Sequence, residues 1–380
     1  MSGLGDPATR LPAVSEVLRS WSAKNVSIRP FGSGWWSFNP SIHHDPVDRV
    51  WRCVFRVANY SLPGGVPQLS PDARRGRAAT RNVVATLDPS TLEILRASEM
   101  RELDDRPRST SCASLGYEDM RIFRTRRDGL CAIATALQLN LERPSCPEMV
   151  LCRLDERCDV VEATPMRGPW SAQPQKNWSP FDGAETPRFL YSIERGVVMT
   201  DRGPAAGSPS PTSSGGPRQF SGRILHSIGR CGVEVKVTGS TPAQHRPPNP
   251  SSPAPGSVEL RGGSQLIRIG ADRWLGIGHE MKLRQPHRRK HYWHTLYTCD
   301  DHGKIRERSE PFKLSRDHGI EFAAGIAMDG RGGIAISFGT DDHDSWIGVT
   351  DLDSVLRALG PIDRGRERRP ARDGEISATT

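Results

Sequence analysis

The sequence predicts an all-β protein. Three observations carry that reading. Helical periodicity is confined to two stretches, PAVSEVLRSWSAK near the start and DLDSVLRAL near the end, where apolar residues recur every three to four positions. Elsewhere short β-prone runs alternate with Gly, Pro, Asp and Asn. Many of these runs come in pairs joined by turn signals such as RRDG, GADR and DDHG. Short strands at regular spacing with such turns belong to a sandwich, a barrel or a propeller.

Taken in chain order, a short N-terminal helix comes first. The expected strands follow as VWRCVFRV (50–57), MRIFRT (120–125), LCAIATAL (130–137), FLYSI (189–193), SQLIRI (264–269) and RWLGIG (273–278). YWHTLYTC (292–299), GIAISFG (333–339) and SWIGVT (345–350) complete the set before the late helix. Branched and aromatic residues dominate them, and such side chains pack well on a pleated surface. Residues 202–256 depart from the pattern, being crowded with Pro, Ser and Gly around the β-like RILHSIGRCGVEVKVTG. They read as two flexible excursions flanking a strand pair. The expected organisation is an N-terminal extension (1–29), a β body (30–360) and a disordered basic tail (361–380). No strict sequence repeat is visible.

Bulk properties narrow the function classes. The 380 residues are 36% hydrophobic, and mean hydropathy is −0.53. No run of about twenty apolar residues is present, so no membrane span is expected. The opening MSGLGDPATRLPAVSEV lacks the basic start and apolar core of a secretory signal, which points to the cytoplasm. Eight cysteines form no CxxC pair, so neither a disulfide framework nor a zinc site is expected, and reduced thiols agree with that compartment. No metal and no cofactor are called for. The formal charge of +8 is concentrated in RRGR (74–77), QPHRRKH (285–291) and the tail RGRERRPARD. A solvated surface is the plain reading of such clusters, and a pocket for a phosphate-bearing ligand is the sharper one. Nucleic acid is disfavoured, because aromatic residues do not interleave with the basic runs as a stacking surface needs.

One stretch raises a chemical question. GYEDMRIFR (116–124) sets Glu118, Asp119 and Arg121 together at a strand entrance. Such a cluster is either a solvated turn or the wall of a site. The order of motifs bears on the choice. FNPSIHHDPVDRVWRCVFRVANY (38–60) resembles the first blade of five-bladed β-propeller sugar enzymes, in particular inverting β-mannoside phosphorylases and related mannosyltransferases. GYEDMRIFR resembles their Glu-Asp-Pro-Arg motif, with Met120 in the proline position. QKNWSPF (175–181) resembles their Lys-Asn motif, and GGSQLIRIGADRWLGIGHE (262–280) the strand pair that delivers a histidine. EFAAGIAMDGRGGIAISFGTDD (321–342) is similar to their final strands and closing turn. HE…HYWHTLYTCDDHGKIRERSEPF and GIEFAAGIA…ISFGTDD also resemble propeller domains that accompany bacterial glycosyltransferase modules.

The resemblance implies a five-bladed β-propeller with short N-terminal and late helices. It also implies glycosyl transfer on mannoside-like sugars by a glycosyltransferase or an inverting phosphorylase. In that reading Asp119 is the proton donor, and Glu118 and Arg121 hold it and the sugar. Asn39 and Arg56 match first-blade residues, and Lys176 with Asn177 would touch phosphate or a hydroxyl. His279 would meet the sugar. Glu280 stands where the phosphorylases have glycine, and it would repel phosphate or serve as a base for an acceptor or water. Tyr292 and His294 share one strand face, which makes both candidates for substrate contact. Glu321 would bind a hydroxyl, and Asp342 closes the site, with Asp341 as its solvated neighbour. Arg153 and Arg167 are phosphate candidates by location. The substrates implied are a sugar or phospho-sugar, with inorganic phosphate in the phosphorylase case. The competing class is a non-catalytic sugar-binding propeller that assists a partner glycosyltransferase.

Overall fold

A computed structural model describes residues 11–76, 78–103, 109, 112, 114–141, 146–166, 176–200, 203–204, 260–284, 289–315 and 319–362. Five antiparallel sheets stand around a central channel as a five-bladed β-propeller. From the channel outward, blade I comprises Trp36–Asp45, Val50–Ala58, Ala78–Leu87 and Ile94–Glu99. Blade II comprises Glu118–Thr125, Gly129–Ala136, Glu148–Leu154 and Val160–Met166. Blade III is the smallest, with Ser179–Pro180, Arg188–Ser192, Val197–Thr200 and Gly203–Pro204. In blade IV, Arg261–Gly262 and Ile267–Gly270 both pair with Arg273–Arg284, followed by Arg289–Cys299, Ile305–Ser309 and Leu359–Pro361. Blade V comprises Glu321–Met328, Gly333–Thr340, Asp344–Asp351 and Ser22–Asn25.

Every strand read from the sequence among the described residues is present, and RRDG, GADR and DDHG each close a hairpin. The start of the chain differs from expectation. Only one turn of helix forms, Val14–Val17, and Ser22–Asn25 then pairs with Val349–Trp346 on the outer edge of blade V. The propeller therefore begins before residue 30. An unpaired strand edge offers a full ladder of backbone hydrogen bonds, and that outweighs a weak helical period. Trp21 anchors the segment against Phe338, its indole filling the space over Gly348, where a Cβ would sit 1.8 Å from the ring. The late helix Leu352–Ala358 lies where DLDSVLRAL predicts it, and the Asp351 carboxylate caps it by accepting the Ser354 N–H at 2.6 Å. Leu359–Pro361 then joins blade IV, tying the two last blades together. The 205–256 part of the Pro/Ser/Gly-rich region and the tail from 363 lie outside the described residues.

The core lies between blades, where facing sheets bury their apolar faces. Phe123, Ile133, Trp178 and Phe189 fill the space between blades II and III, and Leu275, Ile277, Ile326 and Ile336 that between IV and V. Neighbouring inner strands run parallel around the ring, as the bridges Thr125–Ala184 and Phe181–Leu266 require. The channel thus has one mouth at the strand starts and another at their ends. Gln265, fully buried, crosses it midway: its amide donates to the Ile42 carbonyl of blade I and accepts the Ile326 N–H of blade V. Among the described residues no helix is long and apolar enough to cross a membrane.

Candidate functional site

The mouth at the strand starts collects most of the residues singled out in the sequence. Local backbone geometry explains why they point there. The inner strands of blades I and II each carry a bulge, at Asn39 and at Asp119, where the ladder register shifts. Both residues hold positive φ, 47° and 50°, as do Asn177 (64°) and Asp342 (46°). Asn and Asp tolerate this left-handed region better than other residues with a Cβ. A bulge re-aims its side chain, and here each one turns a polar group toward the channel axis. Gly339 makes room for the first bulge, since a Cβ there would lie 2.2 Å from Asn39 Oδ1.

Arg121 forms the floor. It is fully buried, and its guanidinium reaches three blades. Nε donates to the Gly263 carbonyl at 2.8 Å, Nη2 to Asn177 Oδ1 at 2.8 Å and Nη1 to the Asp119 carbonyl at 3.0 Å. The cation also lies over the Phe322 ring of blade V, 5.4 Å from its centroid. Fully buried, with Nε, Nη1 and Nη2 each donating to the protein frame, Arg121 serves as a support beneath the site.

Arg56 is the second cation. Its Nη1 donates to Asp119 Oδ1 at 2.9 Å and its Nη2 to the Tyr60 hydroxyl at 2.6 Å, with Glu118 Oε1 at 3.3 Å. Asn39 Nδ2 also donates to Asp119 Oδ1 at 2.9 Å. Burial pushes the Asp119 carboxyl up, but Arg56, Arg121 and these hydrogen bonds outweigh it and hold the group well below the usual carboxylate range. Asp119 is therefore an anion at neutral pH, and its Oδ2 carries no hydrogen bond among the described residues. Asp342 behaves in the opposite way. Burial, opposed by Arg56 and reinforced by the negative charge of Asp119, pushes its carboxyl up to about 6.

The remaining wall is aromatic and cationic. His279 is buried between Tyr292 (5.6 Å between ring centroids) and Phe322 (4.9 Å). Burial, with Arg261 and Arg121 nearby, pushes its imidazole down to about 3, so it is neutral, and Nδ1 has no hydrogen-bond partner. Burial and the charges of Asp342 and Asp119 raise the Tyr292 phenol, which stays a donor. Burial lowers the Lys290 ammonium, Asp342 opposes this and Lys176 adds to it, so Lys290 lies within electrostatic reach of both. Among the described residues, no cluster of three or more His, Cys, Asp or Glu side chains could hold a metal ion.

Some expected residues lie elsewhere. Glu280 pairs with Trp293 in an unbroken ladder, so it faces away from His279, because successive strand residues point to opposite sides. His294 and Glu321 are fully buried behind the wall. His294 Nε2 accepts the Ala323 N–H at 3.2 Å, and Glu321 pairs with Lys313 at 3.2 Å while accepting the Ser315 N–H at 2.7 Å. Neither is placed to touch a sugar. Asp341 is buried too, accepting the Gly64 N–H at 3.1 Å. Arg153 pairs with Asp128 and Glu162 far out in blade II, and Arg167 lies outside the described residues. Tyr60, Arg261, Lys290 and Phe322 join the site unanticipated. Only their adjacency to quoted motifs could have found them, since no periodicity marks them.

Glu321 yields a test of these electrostatics. Burial, opposed by Lys313 and the Ser315 N–H, raises its carboxyl to about 7, from an ordinary value near 4.5. Between those values the unfolded chain has released the proton while the folded one keeps it, so stability falls as pH rises through that window. Above about pH 7 the loss is complete, of the order of 3 kcal/mol. Glu321→Gln keeps an acceptor for Ser315 and removes the titration. Thermal melts at pH 5 and pH 8 are expected to lie closer together in the variant, and an unchanged gap would rule out the raised carboxyl.

No family model matches the chain, and no curated protein matches it. Several solved structures are similar to it. A glycosyl hydrolase from Bacteroides ovatus is 13% identical over 84% of this chain and 84% of that one, with a TM-score of 0.49. β-1,2-Mannobiose phosphorylase from Listeria innocua is 12% identical over 87% and 95%, with a TM-score of 0.44. A GDP-Man-dependent mannosyltransferase from Leishmania mexicana is 10% identical over 87% and 90%, with a TM-score of 0.47.

Proposed function

We propose that the mouth at the strand starts is a sugar-processing active site that performs glycosyl transfer on mannoside-like sugars. One observation carries the reading: two carboxyl groups at one mouth are driven apart in proton affinity, Asp119 held well below the usual carboxylate range and Asp342 raised to about 6. Cleavage of a glycosidic bond needs an acid for the departing oxygen and negative charge near the oxocarbenium-like carbon, and environments that split two carboxyls supply both. Asp342 is then the proton donor, in place of Asp119, whose arginine partners keep it from holding a proton. Asp119 takes a sugar hydroxyl on Oδ2 and balances the developing positive charge, with Glu118 helping to hold Arg56. His279, Tyr292 and Phe322 offer an uncharged aromatic wall for the sugar ring. Lys176, Asn177, Lys290 and Arg261 would meet phosphate or a phospho-sugar at the rim. The seven cysteines among the described residues are all free thiols, and the cytoplasm is proposed as the location on that ground.

The test is a panel of mannosides with and without inorganic phosphate, mannose 1-phosphate and nucleotide sugars, scored for product. Turnover is expected to decline as pH rises through about 6, where Asp342 loses its proton. Sugar binding without product from any member of the panel would replace this reading with the sugar-binding propeller that assists a partner transferase.

A further inference from the structure

The opposite mouth, at the strand ends, opens into a cavity of about 1060 Å³ walled by the first hairpins of all five blades. Its charges are unevenly satisfied. Asp182 is engaged on both oxygens, by His43 Nδ1 at 3.2 Å and the Arg124 N–H at 2.7 Å. Asp329 Oδ1 is used within its own turn, accepting the N–H groups of Arg331 (2.8 Å) and Gly333 (2.7 Å). Arg126 pairs with Glu185 at 2.7 Å, and Arg268 lies over Trp274 with Asp301 at 3.5 Å. The guanidinium groups of Arg49, Arg124 and Arg331, from blades I, II and V, carry no hydrogen bond or ion pair among the described residues.

We propose that this cavity binds a small phosphate-class anion, inorganic phosphate or a phosphate ester, on Arg49, Arg124 and Arg331. All three residues are exposed to solvent and line the same concavity, and an anion with several oxygens can take bidentate hydrogen bonds from such guanidiniums. One further observation points the same way. His43 is 5% exposed and lines the cavity with its Nδ1 turned to Asp182, so its Nε2, unpartnered among the described residues, can accept the hydroxyl of a hydrogen phosphate. Because Gln265 crosses the channel between the mouths, this site is separate from the carboxyl site and does not depend on the function proposed for it.

The experiment is calorimetric titration of the full chain with inorganic phosphate and with pyrophosphate at low ionic strength. The wild type is expected to bind, and binding should weaken as salt is added. Each of Arg124→Gln and Arg331→Gln should weaken it about tenfold or more, the worth of a charged hydrogen bond. Arg126→Gln, whose guanidinium is already paired with Glu185, should weaken it far less. The targeted arginines have no partners to lose, so melting temperatures should match the wild type. Absence of binding by the wild type overturns the proposal. So does binding that survives the Arg124→Gln/Arg331→Gln double variant, which would put the anion elsewhere.

Discussion

Asp342→Asn is expected to lower turnover by about 10²–10⁴-fold on a sugar with a poor leaving group, while sugar affinity changes little. Asparagine keeps the size and hydrogen-bonding shape of the side chain but has no transferable proton. The pH-dependent decline near 6 should vanish with it, a change that a merely structural role would not produce. A substrate with a good leaving group departs without an acid, and on it the variant should run close to wild type. Asp119→Asn is expected to behave differently. It removes the anion that Arg56 and Asn39 hold, so KM should rise as kcat falls, and the pH profile should keep its shape. The reverse outcome, loss of the pH limb in Asp119→Asn and near-normal turnover in Asp342→Asn, would return the donor role to Asp119.

Whether a charge cluster in a sequence will titrate or stay ionised depends on groups far away in the chain, and this limits what could be read. GYEDMRIFR posed a choice between a site wall and a solvated turn, because three charges at a strand entrance must be solvated or used, and the structure buries Glu118 and Arg121 there. It could not show that Arg56, from another blade, would keep Asp119 ionised, since that needs the approach of two residues sixty-three positions apart. The hairpins were legible because turn chemistry and alternating β-prone runs are local. Strands such as Ala78–Leu87 and Ile94–Glu99 were not, because polar residues interrupt the first and the second is exposed along all but its first residue. Ser22–Asn25 is exposed throughout, so no apolar period could announce it; the free edge of blade V makes it a strand. Glu280 and Glu321 failed as site residues for one reason. Face and depth on a strand follow from register, and a motif match does not contain register.

Arg121→Met is expected to destabilise the propeller by about 3–5 kcal/mol, the cost of removing one member from a buried charged network. Methionine fills much of the volume and keeps contact with Phe322, so the loss reports on the guanidinium and not on a cavity. The substitution leaves the Gly263 carbonyl and Asn177 Oδ1 without the donor they share, in a region closed to water. It also takes a cation from beneath Asp119, so the carboxyl should climb toward the ordinary range. Arg121→Lys should recover only part of the stability, because a single ammonium cannot span three blades as the planar fork does. Denaturant unfolding of the full chain measures both variants. A stability for Arg121→Met within about 0.5 kcal/mol of wild type, the range of an ordinary surface substitution, would show that the blades hold together without this hub. With the hub intact, the same residue explains why the Asp119 bulge, Asn177 in the left-handed region and Phe322 converge on one mouth. The Asp119 backbone carbonyl and Asn177 Oδ1 accept from its guanidinium, and Phe322 lies against it.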